Sequence, residues 1–216
     1  MKPESSEVLV PADRVRLPGT LTRPEPGGPI VLFAHGSGSS RLSPRNREVA
    51  RVLTEAGIGT FLFDLLSETE ALDRHKVFDI HLLASRLEQA HSWVVQEVEP
   101  TPAIGYFGAS TGAAAALLGA ADHADAVGAV VSRGGRPDLA GEALERVRAP
   151  TLLIVGGADY EVLALNRQAL QRLGGVKKLA VVAGATHLFE EPGTLEEVAR
   201  MAADWFVRHL QGAPVR

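Results

Sequence analysis

Six short apolar runs recur along the chain, and most are followed by a stretch with helical periodicity. They are "PIVLFAH" from Pro29, "IGTFLF" over 58–63, "AIGYF" over 103–107, "AVGAVV" over 126–131, "TLLIVG" over 151–156 and "KLAVV" over 178–182. Runs of this length without polar alternation suit strands buried on both faces. Between them the spacing predicts a helix over 44–56, with Ser43 as N-cap, Pro44 at the first position and Gly57 closing it. Val49, Val52, Leu53 and Ala56 share its inner face. A polar segment, "SETEALDRHK", leads to a long helix over 76–98 with Ile80, Leu83, Leu87 and Val94 as its stripe, ended by Pro100 and Pro102. A helix of small residues opens in "STGAAAALLGAA", another in "VLALNRQALQRL", and the last one starts with a capping box from Thr194 to Glu197. Residues 7–22 read as two short strands around the turn Ala12-Asp13. The alternation implies an α/β fold: a mostly parallel central sheet, helices on both faces, and functional groups at the carboxyl ends of the strands.

Composition narrows the function classes. The 216 residues suit one domain over 1–216, and 45% hydrophobic with 22% charged residues is enough apolar material for a large core. A net charge of −4 with no basic stripe argues against a nucleic-acid partner. There is no cysteine, so disulfides, thiolate metal sites and a thiol nucleophile are excluded together. The first 30 residues hold no apolar run of signal-peptide length, and no stretch reaches the length of a membrane span. A cytoplasmic protein with no membrane partner is expected.

The chemistry gathers at three strand ends. "GASTG" (108–112) fits G-x-S-x-G between an apolar strand and a helix. A nucleophile on such a turn needs small neighbours for close chain approach, and the turn presents Ser110 to the cleft at a helix N-terminus. A serine needs a base, and His187 lies in "GATHLFEEPG" after the last strand. A base needs an acid to orient it, and Asp159 follows the strand ending at Gly156, where it also suits a helix N-cap. Glu161 and Glu190 are weaker candidates for the acid. The chain order Ser110, Asp159, His187 is the order of the α/β-hydrolase fold. Two backbone donors are expected to hold an oxyanion: Thr111, after the nucleophile, and Ser37 in "HGSGSS". His35 is read as a support for that loop, bonded to backbone. Arg133 follows a strand end and suits either a substrate carboxylate or phosphate, or a structural role bonding loop carbonyls. Leu65, Leu66, Val162 and Leu188 suit an apolar lining or, equally, the core.

The segments "HGSGSSRLSPRN", "FDLLSETE", "GYFGASTGAAAAL", "SRGGRPDL", "IVGGADYEVLALN" and "GATHLFEEPG" resemble the dienelactone-hydrolase-like α/β hydrolases. More narrowly, they are similar to a bacterial branch sometimes fused to a phosphoribosyltransferase-type domain. The resemblance runs from about residue 29 to 210 and implies the same triad and oxyanion donors. It departs in one place. Dienelactone hydrolases proper use a cysteine nucleophile, whereas this chain has Ser110. Ordinary ester chemistry on a small-molecule ester is therefore expected, with no cofactor and no metal. Only residues 132–150 join two of the strands where related folds insert a cap domain, so an open cleft without a cap is expected. A thioesterase, lactonase or acyltransferase on the same residues, or a ligand receptor without turnover, remain the competing readings.

Overall fold

The computed structural model describes residues 3–211. Its centre is an eight-stranded sheet in the order β1-β2-β4-β3-β5-β6-β7-β8. The strands are β1 (Glu4–Ala12), β2 (Val15–Arg23), β3 (Ile30–Ala34), β4 (Gly59–Phe63), β5 (Ile104–Ala109), β6 (Val127–Arg133), β7 (Thr151–Gly156) and β8 (Lys177–Val182). β1 and β2 form an antiparallel hairpin, β2 runs antiparallel to β4, and every other pair is parallel. β3, β4, β5 and β7 are buried at every residue, which is why their sequences read as unbroken apolar runs. β8, at the sheet edge, is half exposed.

Helices close both faces. α1 (Pro44–Glu55) and α7 (Thr194–Leu210) cover one, burying Val49, Leu53, Val198 and Phe206 against Phe33, Phe107 and Val131. α4 (Ile80–Glu97) and α5 (Thr111–Asp122) cover the other, where Leu87 and Leu117 join Tyr106 in a second core. Tyr106 and Phe107 therefore point to opposite faces, as strand geometry requires. α5 is buried from Thr111 to Ala121. Its alanines and glycines let strand and helix backbones approach closely. α6 (Tyr160–Arg172) follows β7, and a 3-10 segment, Pro137–Arg146, bent at Gly141, joins β6 to β7. Among the described residues no cap domain interrupts this connection.

Two expectations about helix starts need correction. The polar segment before α4 contains two short helices, α2 (Glu68–Ala71) and α3 (Arg74–Val77), and α4 itself begins at Ile80. The reason is local capping. Ser67 and Glu70 form a reciprocal capping box, and Asp73 and Asp79 cap the next two starts. Arg86 of α4 then ties α2 down, reaching Glu70 at 3.2 Å and the carbonyl of Ala12 at 2.6 Å. The capping box expected from Thr194 to Glu197 does not form. Gly193 takes the N-cap position at φ 81°, and the Thr194 hydroxyl donates to the Glu191 carbonyl instead.

Candidate active site

β5 ends in a turn whose backbone is strained at Ser110, with φ 51° and ψ −122°. A non-glycine residue there costs on the order of 1–3 kcal/mol and persists only where its surroundings hold it. The loop between β6 and the 3-10 segment supplies the hold. Ser110 N–H donates to the Arg133 carbonyl at 3.2 Å, and Arg136 N–H donates to the Ser110 carbonyl at 3.0 Å. Asn166 Nδ2 in turn fixes the loop at the Gly135 carbonyl, 2.9 Å away. The flanking glycines are steric necessities. A Cβ on Gly108 would lie 2.4 Å from the Ala113 Cα, and one on Gly112 would lie 2.1 Å from the Ala34 carbonyl oxygen.

Asp159 and His187 come from the ends of β7 and β8. These loops touch closely enough that a Cβ on Gly156 would meet the Ala185 carbonyl oxygen at 2.3 Å. Ala158 N–H donates to that same carbonyl at 2.9 Å. The contact sets Asp159 Oδ2 2.7 Å from His187 Nδ1. Asp159 occupies the N-cap position of α6 but makes no capping bond with its side chain, which turns to the histidine. Glu191 braces the histidine loop through Thr186, 2.6 Å from its hydroxyl and 3.1 Å from its N–H. Glu190, the alternative acid, pairs with Arg45 at 3.4 Å. Glu161 makes no ion pair among the described residues.

The loop after β3 lies against the elbow. The Cα of Gly36 packs so that a Cβ there would sit 2.9 Å from the Ser110 Cβ. His35 holds this loop, bonding the Gly36 carbonyl with Nδ1 and accepting the Leu65 N–H at Nε2, each at 3.0 Å. Burial lowers its pKa, so the ring stays neutral in this tautomer. Ser37 differs from the expectation. Its N–H does not stand free for an oxyanion but donates to the Thr111 Oγ1 at 2.9 Å. Thr111 N–H, at the first position of α5, has no intrahelical acceptor.

A cavity of about 530 Å³ adjoins this loop, sharing Gly36 and Ser37 with it. Its further walls include Arg16 and Pro18 of β2, Arg41, Asp64 and Leu66. Arg41 and Asp64 are joined at 3.0 Å, and Asp64 also takes the Arg41 N–H at 2.7 Å. Neither β2 nor this ion pair carries a local signal of site membership; both depend on the sheet order.

The expected apolar lining separates into three outcomes. Leu66 faces the cavity, and Leu188 is exposed. Leu65 is fully enclosed in the α4/α5-side core, and Val162 packs with Val155 and Leu163, so neither is free to line an open cleft. Leu66 belongs to the same core as Leu65, at 8% exposure, and also borders the cavity. Arg133 is 8% exposed, and its Nη1 has no hydrogen-bond partner among the described residues. No carboxylate there lies within 4.0 Å of it. Burial, with Arg45 nearby, lowers its pKa to about 10, so it remains a cation at neutral pH. Among the described residues no three His, Asp or Glu side chains converge as metal ligands would, and no helix is long and apolar enough to cross a membrane.

A mostly parallel sheet with this strand order, a strained serine at the β5–α5 elbow and a carboxylate on a histidine beyond β7 and β8 define an α/β hydrolase. The chain belongs to the dienelactone-hydrolase-like family of that fold. It is 52% identical to a dienelactone hydrolase from Anabaena variabilis, with a TM-score of 0.94 over 97% of this chain and 100% of that one. Est1E from Butyrivibrio proteoclasticus shares the fold at 15% identity (TM-score 0.81, 94% and 98% of the two chains). So does an α/β serine hydrolase without a lid from Xanthomonas campestris, at 22% identity (TM-score 0.78, 98% and 97%). Two curated relatives from Mycobacterium tuberculosis, provisionally named phosphoribosyl transferases, are 59% identical over 207 residues. The match covers 95% of this chain, which spans about half the length of those relatives, 47%. No family model matches the chain.

Proposed function

We propose that the chain hydrolyses carboxylic esters through a covalent acyl-enzyme on Ser110. The 2.7 Å contact between Asp159 and His187, together with a strained serine at the β5–α5 turn, supports this reading. Ser110 Oγ attacks the ester carbonyl while His187 Nε2 takes its proton. His187 returns that proton to the departing alcohol, then activates a water that releases the acid. Asp159 accepts a hydrogen bond from Nδ1–H, which selects the tautomer and stabilises the imidazolium. Thr111 supplies oxyanion donation from α5. The buried, unpartnered guanidinium of Arg133 suits an anionic group on the substrate. The transferase name of the Mycobacterium relatives we assign to the part of their length outside the shared region.

Labelling with a fluorophosphonate, followed by turnover of p-nitrophenyl acetate, tests the reading. The wild type should label and turn over, and Ser110→Ala should do neither, with kcat falling roughly 10⁶-fold. A protein that resists the label would leave a receptor with the hydrolase fold. A panel of thioesters and lactones beside the oxygen esters decides among the acyl transfers this machinery can run.

A further inference from the structure

The hydrogen bond from Ser37 to Thr111 changes how an oxyanion would be held. Resting on Ser110 as the acylating nucleophile, an oxyanion needs donors aimed at one point beside it. Ser37 N–H spends its hydrogen on Thr111 Oγ1 at 2.9 Å. Thr111 is 5% exposed, so water does not readily replace this partner. Both residues adjoin the nucleophile: Thr111 follows it in the chain, and at Gly36, next to Ser37, a Cβ would lie 2.9 Å from the Ser110 Cβ. The threonine hydroxyl thus touches one expected amide donor, Ser37 N–H, and belongs to the residue that carries the other.

A hydroxyl has one proton to give and two lone pairs to receive with. At Thr111 one lone pair is used by Ser37, while the proton finds no acceptor among the described residues. A buried hydroxyl proton without an acceptor costs stability unless a ligand supplies one. We propose that the Thr111 hydroxyl is itself an oxyanion donor, giving its proton to a hydrogen bond with the tetrahedral oxygen while Ser37 N–H polarises it from behind. Thr111 then contributes two donors, N–H and Oγ–H, and Ser37 acts through the hydroxyl as a positioning residue. Hydrogen bonds in series strengthen one another, so the Ser37 amide is not lost to the site. No proton is transferred to the substrate oxygen in this arrangement.

The test compares Thr111→Val, which keeps the shape and removes the hydroxyl, with Thr111→Ser, which restores it. Thr111→Val should lower kcat by about 10²–10³-fold with KM nearly unchanged, as expected when one oxyanion donor is lost. Affinity for a trifluoromethyl ketone, which mimics the tetrahedral oxygen, should fall by a similar factor. Thr111→Ser should recover most of both losses, and Thr111→Ala stands in if the valine variant does not fold. Wild-type or faster turnover in the hydroxyl-free variants would overturn the proposal, because the threonine would then only block the Ser37 amide. Equal losses in the serine and valine variants would also overturn it, by pointing to packing. An active wild type with an active valine variant removes this inference alone. A wild type that neither turns over esters nor labels removes the hydrolase reading and this inference together.

Discussion

Acidification should destabilise this fold through His91, a residue remote from the proposed catalytic groups. His91 sits on α4 with Nδ1 2.7 Å from the hydroxyl of Tyr106, which is itself fully buried. The His123 ring stacks 6.0 Å away, and Glu88 faces His123 at 3.6 Å. Burial first, and His123 second, push the His91 pKa down to about 4. An unfolded histidine titrates near 6.5. Above about pH 6.5 both states are neutral and His91 adds no pH dependence. Between about 6.5 and 4 the unfolded chain takes up a proton that the folded one refuses, so stability falls with falling pH. At about 1.4 kcal/mol per pH unit the interval is worth about 3 kcal/mol, a large share of the 5–15 kcal/mol typical of a domain. His91→Gln keeps a polar partner for Tyr106 and cannot titrate. Urea unfolding at pH 7.5 and pH 4.5 reads the difference. The wild type should lose about 2.5 kcal/mol more than His91→Gln on acidification. His35 and His209 are also lowered by burial, but they are present in both proteins and cancel in the comparison. Stability curves that stay parallel from pH 7.5 to 4.5 would refute the reasoning.

Two further outcomes concern the site. Asp159→Asn should keep the fold and cost on the order of 10⁴-fold in kcat toward p-nitrophenyl acetate, by disturbing the tautomer of His187. Glu190→Gln, which removes only the partner of Arg45, should leave kcat almost unchanged, and the reverse ranking would move the acid to Glu190. Arg133→Met keeps the apolar stem and removes the charge. It should weaken kcat/KM for carboxylate-bearing esters by about 1.5–3 kcal/mol while sparing neutral ones. Equal losses for both would make Arg133 a structural residue.

The places of Ser110, Asp159 and His187 after β5, β7 and β8 are legible in the chain, because each follows a predicted strand beside small residues that allow close backbone approach. The elbow glycines have no steric alternative, so the motif and its geometry come together. The Ser43 cap was legible for the same local reason: its side chain accepts from the Asn46 N–H within one turn. The Thr194 box was misread because a glycine in the left-handed region took the cap one residue earlier, and a pattern of residue types does not carry that choice. Leu65 and Leu66 show a similar limit. They have one chemistry and adjacent positions and share one core, yet only Leu66 also borders the cavity.

By itself the sequence determined what local chemistry and periodicity can carry: α/β alternation, strands buried on both faces, and the residues at the strand ends. Only the tertiary structure decided what depends on order and distance. β4 lies between β2 and β3, so Arg16 and Pro18 reach a cavity wall beside a loop about 20 residues further along the chain. The Ser37–Thr111 bond joins residues 74 apart, and Arg133 is defined by a partner that its surroundings withhold. Such features arise from side chains brought together across the sheet, where no spacing along the chain records which groups will meet or which will be left unpaired.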